Sequence, residues 1–471
     1  MANIVAESNE SRVATANASA QVSQLVGLAR AAQKVFEAFS QQQVDAIVRD
    51  FAKFIYDNAQ DLAHRAVDET GYGVFEDKVA KCMGKSRLIW NSLKDKKSRG
   101  IIGEDPDANL VLIAKPMGVV AAICPVTNPV VTPMCNAMFA LKTGNAVIFA
   151  PHPSAEGVNA LVVKAFRQIL CRHGAPEDLV QTVVNGSLSI TKELMGAVDV
   201  VVATGGGAMV KAAYSSGRPS LGVGPGNVPV VIDRGADLED ACGKIVAGAA
   251  FDNGIICSHE QFVLAPEESY QAVIDQFLAT GKVWFSSDPA VVQKLRDIVF
   301  PDGRMNKDIV GKSPQLIGAL AGIKMPEGVR IILLPAKGAG KEDVLAREKL
   351  CPVVAILPYR TFDEAVDKAK ANLLVEGAGH SAALHSNDEQ HIRAMGLALP
   401  ISRLVVNQCS GTTAGGSLTN GFAATTTLGC GSWGGNSISE NLDYKHLMNV
   451  SRIGKVITGK HVPTDEEIWA E

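Results

Sequence analysis

Residues 119–150 read VVAAICPVTNPVVTPMCNAMFALKTGNAVIFA, and the alternation inside this stretch decides the fold class. Val119 to Cys124 is a short apolar run, residues 129–143 have the length and spacing of a helix, and Ala146 to Ala150 is apolar again. Two such runs joined by a helix form a βαβ unit, whose parallel strands are buried on both faces and so need not alternate polar with apolar. The stretch is not a membrane span, because Pro125, Asn128, Pro129, Pro133, Lys142 and Asn145 interrupt it before about 18 apolar residues accumulate.

Downstream the same alternation continues. Residues 154–173 read as a helix ending before Gly174, followed by LVQTVV, a short helix, the strand DVVVAT at 199–204 and the helix AMVKAAYSS. The pattern predicts an α/β fold with a mostly parallel, Rossmann-type sheet that binds ligands at the carboxyl ends of its strands. LGVGPGNVPVVID at 221–233 is a Gly/Pro-rich turn running into a strand that leads across to a second α/β domain, with strands in QFVLA, VRIILLP, PVVAILP and SAALH. Upstream, Leu25, Ala29, Ala32, Phe36 and Phe39, then Val44, Ile47, Val48, Phe51, Phe54 and Ile55, repeat at three- and four-residue spacing. Residues 21–95 are therefore read as amphipathic helices that cover a sheet, with no part in a site. A Gly/Asp/Pro-bearing break at 100–107 separates them from the sheet, and MNVSRIGKVITGK in the tail reads as an extra strand outside it.

Composition agrees with this architecture. The chain has 471 residues, long enough for two or three domains, and a hydrophobic share of 47% with 44 glycines. Aromatics are few (15 Phe, 6 Tyr, 4 Trp), so aliphatic residues must fill the core. The 45 basic and 49 acidic residues leave a net charge of -4, which speaks against nucleic acid or an anionic membrane as partner. Nine scattered cysteines, with no CxxC pair and no histidine cluster at zinc spacing, predict reduced thiols, no metal site and a cytoplasmic location. The first twenty residues lack the basic start and apolar run of a signal peptide, so no export is expected.

Several stretches have residues suited to chemistry. TGGGAMVKAA at 204–213 puts three glycines between a strand and a helix, where backbone N–H groups can approach a phosphate, although the spacing is not GxGxxG and a plain tight turn fits equally well. In FDNGIICSHEQ at 251–261, Cys257 sits on a Gly-bearing elbow before a strand, a place where a thiol is accessible. His259 would point the opposite way and is not paired with it. Asn128, in CPVTNP just after the first strand, has an amide that could donate to an oxyanion, although on its own it reads first as a plain loop residue before Pro129. His380 and Glu348, each next to a strand, read on their own as a structural histidine and a solvated charge.

In this order, VATGGGAMVKAAYSSGRPSLGVGPGNVPVVID, FDNGIICSHEQ, REKLCPVVAILP, GAGHSAALHS and TLGCGSWGGNSISEN resemble the aldehyde dehydrogenase superfamily, in particular its CoA-acylating branch. The resemblance implies a cofactor domain at 1–247, a catalytic domain at 248–440, and an oligomerisation arm built from about 106–117 and the tail 441–471, in a homodimer or homotetramer. It implies that Cys257 is the nucleophile and that Asn128, with the Cys257 backbone N–H, forms the oxyanion hole. Pro125, Pro151, His152, Pro153, Thr204, Gly205, Gly206 and Glu348 are implied to bind the cofactor, and His380 is implied to take the proton of the CoA thiol. Hydrolytic members carry a glutamate where this chain has Gly222, and no acidic residue occurs between Arg218 and Val231, so the thioester is expected to pass to CoA rather than to water.

Residues 150–154 include no carboxylate to repel a 2′-phosphate, which could sit at the N-terminus of the helix starting near Ser154; NADP is expected ahead of NAD. The stretch from Asn407 resembles acylating enzymes for sulfoacetaldehyde and succinate semialdehyde more than those for acetaldehyde, and sulfoacetaldehyde is expected first. Gln408, Ser410, Thr412 and Thr413 are read as a polar wall for a small anion, with Arg403 as the nearest cation.

Overall fold

The computed structural model describes residues 2–470, with side chains described from residue 18 to residue 470. Four helices, Ala2–Phe36, Gln41–Asp57, Ala59–Thr70 and Phe75–Leu93, come first. The second starts cleanly because Ser40 and Gln43 form a reciprocal capping box that satisfies two otherwise unpaired N–H groups. Its buried face, Val44, Ile47, Val48, Phe51 and Ile55, follows the predicted spacing, and Phe51 stacks on Phe166 with ring centres 4.0 Å apart.

A five-stranded sheet follows, in the order Val180–Thr182, Ala146–Ala150, Val119–Ile123, Val200–Thr204, Ser220–Val223, with every pairing parallel. Every residue of its three middle strands is buried. Each Val or Ile taken fully out of water there contributes roughly 1.5–3 kcal/mol, which is why continuous aliphatic runs specify these strands. The chain winds from Val119–Ile123 towards one edge and then returns to that strand's other side. This reversal opens a crevice beyond the carboxyl ends of Val119–Ile123 and Val200–Thr204. Asn128 and Thr204–Gly206 lie at those ends.

The second sheet has seven parallel strands, in the order Val283–Phe285, Ile331–Pro335, Val353–Tyr359, Glu260–Pro266, Val228–Ile232, Gly379–His385, Ile401–Val406. Val228–Ile232 belongs to this sheet, so the chain crosses between the sheets at 224–227, well before the boundary at 247 drawn from sequence. The stretch at 100–107, read as a break, includes a further strand. Ile101–Asp105 pairs antiparallel with Leu110–Pro116, which pairs antiparallel with Met448–Gly454 in the tail. Gly103, Asp105 and Pro106 conceal that strand because they weaken its apolar signal. Among the described residues no helix is long and apolar enough to cross a membrane.

Candidate active site

Cys257 lies between the short turn Phe251–Gly254 and the strand Glu260–Pro266. The turn is sharp. Asp252 and Asn253, neither of them glycine, both take left-handed backbone angles (φ 54 and 53), and Asn253 Nδ2 donates to Gly311 O at 3.0 Å to help hold them there. The thiol is half-buried. Burial first, and the Glu348 carboxylate second, push its pKa up to about 12, so the resting side chain is a neutral thiol.

Asn128 reaches the same cavity from the loop after Val119–Ile123 of the five-stranded sheet. Its Oδ1 accepts from Lys81 Nζ at 2.8 Å. An ammonium has no acceptor capacity, so the amide oxygen must face Lys81 and the NH2 must turn the other way, where its bond to Thr127 Oγ1 is long at 3.4 Å. Glu348 is joined to the Cys257 turn through Gly226, whose N–H donates to Glu348 Oε1 at 3.0 Å. A Cβ on Gly226 would fall 1.7 Å from the Cys257 carbonyl oxygen, so only glycine permits this approach. Burial, with Glu376 nearby, raises the Glu348 pKa to about 8.

The turn after Val200–Thr204 fits a dinucleotide. Gly206, at the start of the helix Gly207–Tyr214, makes no side-chain capping bond, and a Cβ on Gly206 or Gly207 would meet nothing within 4 Å. The backbone is therefore open to a phosphate. Thr204 Oγ1 bonds Thr427 Oγ1 at 2.8 Å, tying this turn to the loop that walls the cavity. Pro125 is half-buried beside Asn128, and Pro151 is buried after Ala146–Ala150. His152 and Pro153 are exposed, and His152 Nδ1 accepts from Ser154 N at 3.2 Å.

Cys257 and Asn128 both line a cavity of about 480 Å³, together with Ser258, Thr412, Thr425 and Thr426 and the cations Lys81, Lys85 and Arg87. A model of the aldehyde dehydrogenase family matches residues 3–291 of the chain. The chain belongs to the aldehyde dehydrogenase family. It is 55% identical over 95% of its length to a succinate-semialdehyde dehydrogenase (acetylating) of Clostridium kluyveri, covering 98% of that protein. It is 39% identical to a sulfoacetaldehyde dehydrogenase of an Acholeplasma species, over 94% of this chain and 92% of the other. The crystal structure of an acetylating aldehyde dehydrogenase from Geobacillus thermoglucosidasius superposes with a TM-score of 0.91 at 36% identity, covering 96% of this chain and 99% of that one. The dehydrogenase thus stands in the family's acylating branch.

Within this dehydrogenase, Gly222 is more than an absent carboxylate. Its N–H donates to the Tyr214 hydroxyl oxygen at 2.9 Å, and a Cβ there would meet Val210 Cγ1 at 2.8 Å and the Tyr214 ring at 3.1 Å. A side chain at that position would force Val210, and to a lesser extent Tyr214, to shift. His380, by contrast, is fully buried and does not line the cavity. Its Nδ1 contacts Ser381 Oγ at 3.1 Å, its Nε2 has no partner, and burial holds its pKa well below the usual range.

The expected anion wall is only partly in place. Thr412 lines the cavity, whereas Gln408, Ser410 and Thr413 do not. Ser410 is buried with its N–H on Glu260, and Thr413 Oγ1 donates to Cys409 O. Arg403 is buried and spends its guanidinium on Ser381 Oγ, Gly429 O, Asn441 Oδ1 and His380 O, so it is a structural brace and not the cation of the site. The cations come instead from Phe75–Leu93, a helix read from sequence as covering only. Lys78, Lys81 and Lys85 recur at helical spacing in DKVAKCMGKSR, the one signal that could have shown a polar stripe turned inward. The helix Glu156–Arg172 brings another correction, since Glu69 accepts from Gly157 N and Val158 N, both at 2.7 Å, and occupies the N-terminus reserved for a 2′-phosphate.

Proposed function

We propose that the enzyme oxidises a short aldehyde with a distal anionic group, succinate semialdehyde first and sulfoacetaldehyde second, to its CoA thioester through a thioester on Cys257. The observation that carries this reading is the single cavity holding Cys257, Asn128 and Lys85, in a chain where Gly222 leaves no room for a water-activating carboxylate. Once its proton has passed to solvent, the Cys257 thiolate forms a C–S bond to the aldehyde carbon, and the carbonyl electrons move to oxygen as an alkoxide facing the Asn128 NH2. A nicotinamide held by Thr204–Gly206 and Glu348 would supply the acceptor for the hydride that leaves the aldehyde carbon as the carbonyl re-forms. The sulfur of CoA then takes the acyl group and Cys257 Sγ leaves as a thiolate. His380 is kept as the base for CoA on condition that its strand opens, since its ring is buried.

NADP remains the favoured cofactor because residues 150–154 include no carboxylate. NAD is the alternative, and Glu69 favours it, because its carboxylate already holds the helix N-terminus where a 2′-phosphate would sit. The exposed sheet of Ile101–Asp105, Leu110–Pro116 and Met448–Gly454 is read as the arm through which copies associate. One assay panel tests the assignment: the three aldehydes, with and without CoA, with each nicotinamide. Acyl-CoA should form with succinate semialdehyde at the highest kcat/KM, NADP should exceed NAD, and free acid without CoA should appear at least about 100-fold more slowly, as fits a missing general base. Rapid CoA-independent release of acid would overturn the acylating reading.

Succinate semialdehyde is placed first because of Lys85 as well as sequence identity. Lys85 Nζ donates to Gly415 O at 3.0 Å and Thr425 O at 3.2 Å, on the cavity wall. Lys85→Met should raise KM for succinate semialdehyde by about 10-fold or more, the loss of one hydrogen bond to a charged group, with KM for acetaldehyde unchanged. Burial lowers the Lys85 pKa to about 8, so its charge is present below that pH and lost above it. KM for the carboxylate substrate should therefore climb as pH passes 8 in the parent and stay flat in Lys85→Met. Equal KM increases for both aldehydes would assign Lys85 to packing.

A further inference from the structure

The group that orients Asn128 belongs to a helix outside both sheets. Lys81, on Phe75–Leu93, is buried, and its Nζ donates to Asn128 Oδ1 at 2.8 Å and to Asp252 Oδ2 at 2.5 Å. Asp252 is completely buried too. Its Oδ2 also accepts from Lys78 Nζ at 3.1 Å, its Oδ1 from Val74 N at 2.8 Å, and its own N–H donates to Asp77 Oδ2 at 2.9 Å. Asp252 is part of the left-handed turn that leads into Cys257, whereas Asn128 belongs to the loop after the first strand of the other sheet.

We propose that Lys81 is a positioning residue for the oxyanion donor: by bridging Asp252 on the nucleophile's turn and Asn128 on the opposite domain, it fixes which way the Asn128 amide faces and where that amide stands relative to Cys257. The proposal rests on Asn128 being the oxyanion donor. Three observations carry it. An amide turned over would aim its oxygen at the alkoxide, and the Lys81 ammonium, which can only donate, excludes that orientation. Two lysines share one aspartate, so positive charge remains behind the amide oxygen and polarises the N–H groups on its other side. Nucleophile and donor come from different domains, and the Asp252–Lys81–Asn128 chain joins them by direct side-chain bonds. The Phe251 ring, 5.7 Å from Lys81 Nζ, covers the ammonium.

Lys81→Met is the informative variant, since it keeps the methylene stem and leaves Asp252 paired with Lys78 and Val74 N. It should lower kcat for aldehyde oxidation about 30- to 100-fold, short of the full loss of an oxyanion donor, with KM little changed. Alkylation of Cys257 by iodoacetamide, followed at that residue by mass, displaces iodide at a saturated carbon and forms no oxyanion, so its rate should stay within about twofold of the parent. Lys81→Arg should restore part of kcat. Lys81→Met combined with Asn128→Ala should fall no further than Asn128→Ala alone, because the two act as one unit. An unchanged kcat in Lys81→Met, a parallel fall in alkylation that marks a collapsed elbow, or additive losses in the double variant would each overturn the proposal. Undiminished activity in Asn128→Ala alone would remove the oxyanion reading and this proposal with it, whereas a large loss there with none in Lys81→Met removes the proposal alone.

Discussion

Cys257→Ser should lower acyl-CoA formation by at least about 10⁴-fold, because a serine hydroxyl with no adjacent base is a far poorer nucleophile than a thiolate and Ser258 beside it offers only another hydroxyl, bonded to Gly411 O. The elbow itself should survive. Its turn is held by backbone and by Asp252 and Asn253 rather than by the sulfur. Folding stability, cofactor binding by fluorescence and the melting profile should therefore match the parent, and the loss should appear wholly in kcat. The same thiol predicts a pH signature in the free enzyme. Because burial and Glu348 raise its pKa to about 12, the thiolate is a small fraction at neutral pH and grows as pH rises. Iodoacetamide should alkylate Cys257 steadily faster from pH 7 to pH 9 without a plateau. Cys171 and Cys409 are the other thiols not fully buried, so the rate must be read at Cys257 itself. A plateau below pH 8 would mean that the free enzyme already holds a thiolate.

Much of this site is legible in the sequence because it lies on punctuation. Cys257, Asn128 and Thr204–Gly206 each sit where an apolar strand meets Gly, Pro or Asn, and parallel strands buried on both faces leave only their ends for chemistry. Gly222 was legible as a missing carboxylate, and the structure adds the packing of Val210 and Tyr214 that keeps it missing.

What stays hidden depends on which element faces which. Periodicity marks the face of Phe75–Leu93 that is buried, but not that its lysines reach across to Asp252 and Asn128, contacts separated by long stretches of chain. The same limit misplaced Arg403. A cation near a polar loop looks available for a substrate, yet its guanidinium satisfies the backbone carbonyls of Gly429 in a loop and His380 in the strand Gly379–His385 instead. Glu69 lies far in sequence from the helix N-terminus it caps, so nothing near Ser154 announces it.

Gly226→Ala tests the closeness on which the arrangement depends, and its cost should be large. The new Cβ would lie 1.7 Å from the Cys257 carbonyl oxygen, 2.6 Å from its carbon and 3.1 Å from its Cα, all backbone atoms that cannot rotate away. Gly226 cannot retreat easily, because Asn227 next to it is buried with Nδ2 bonded to Ala346 O at 2.6 Å and Glu376 O at 3.1 Å. The elbow must therefore move, by about 1 Å or more, and a misplacement of that size costs on the order of 10²-fold in rate. The Gly226 N–H to Glu348 would be disturbed by the same shift, so KM for the nicotinamide should rise with the fall in kcat. Stability should drop by about 1–3 kcal/mol, as for other overpacked cores. Gly243→Ala is the matched control: it lies inside the helix Leu238–Ala250 with nothing within 4 Å of its added methyl, and should keep full activity with a gain of roughly 0.5–1 kcal/mol. Steady-state kinetics and denaturant melts of the two variants decide the matter, and equal kinetics in both would show that Cys257 does not need Gly226 beside it.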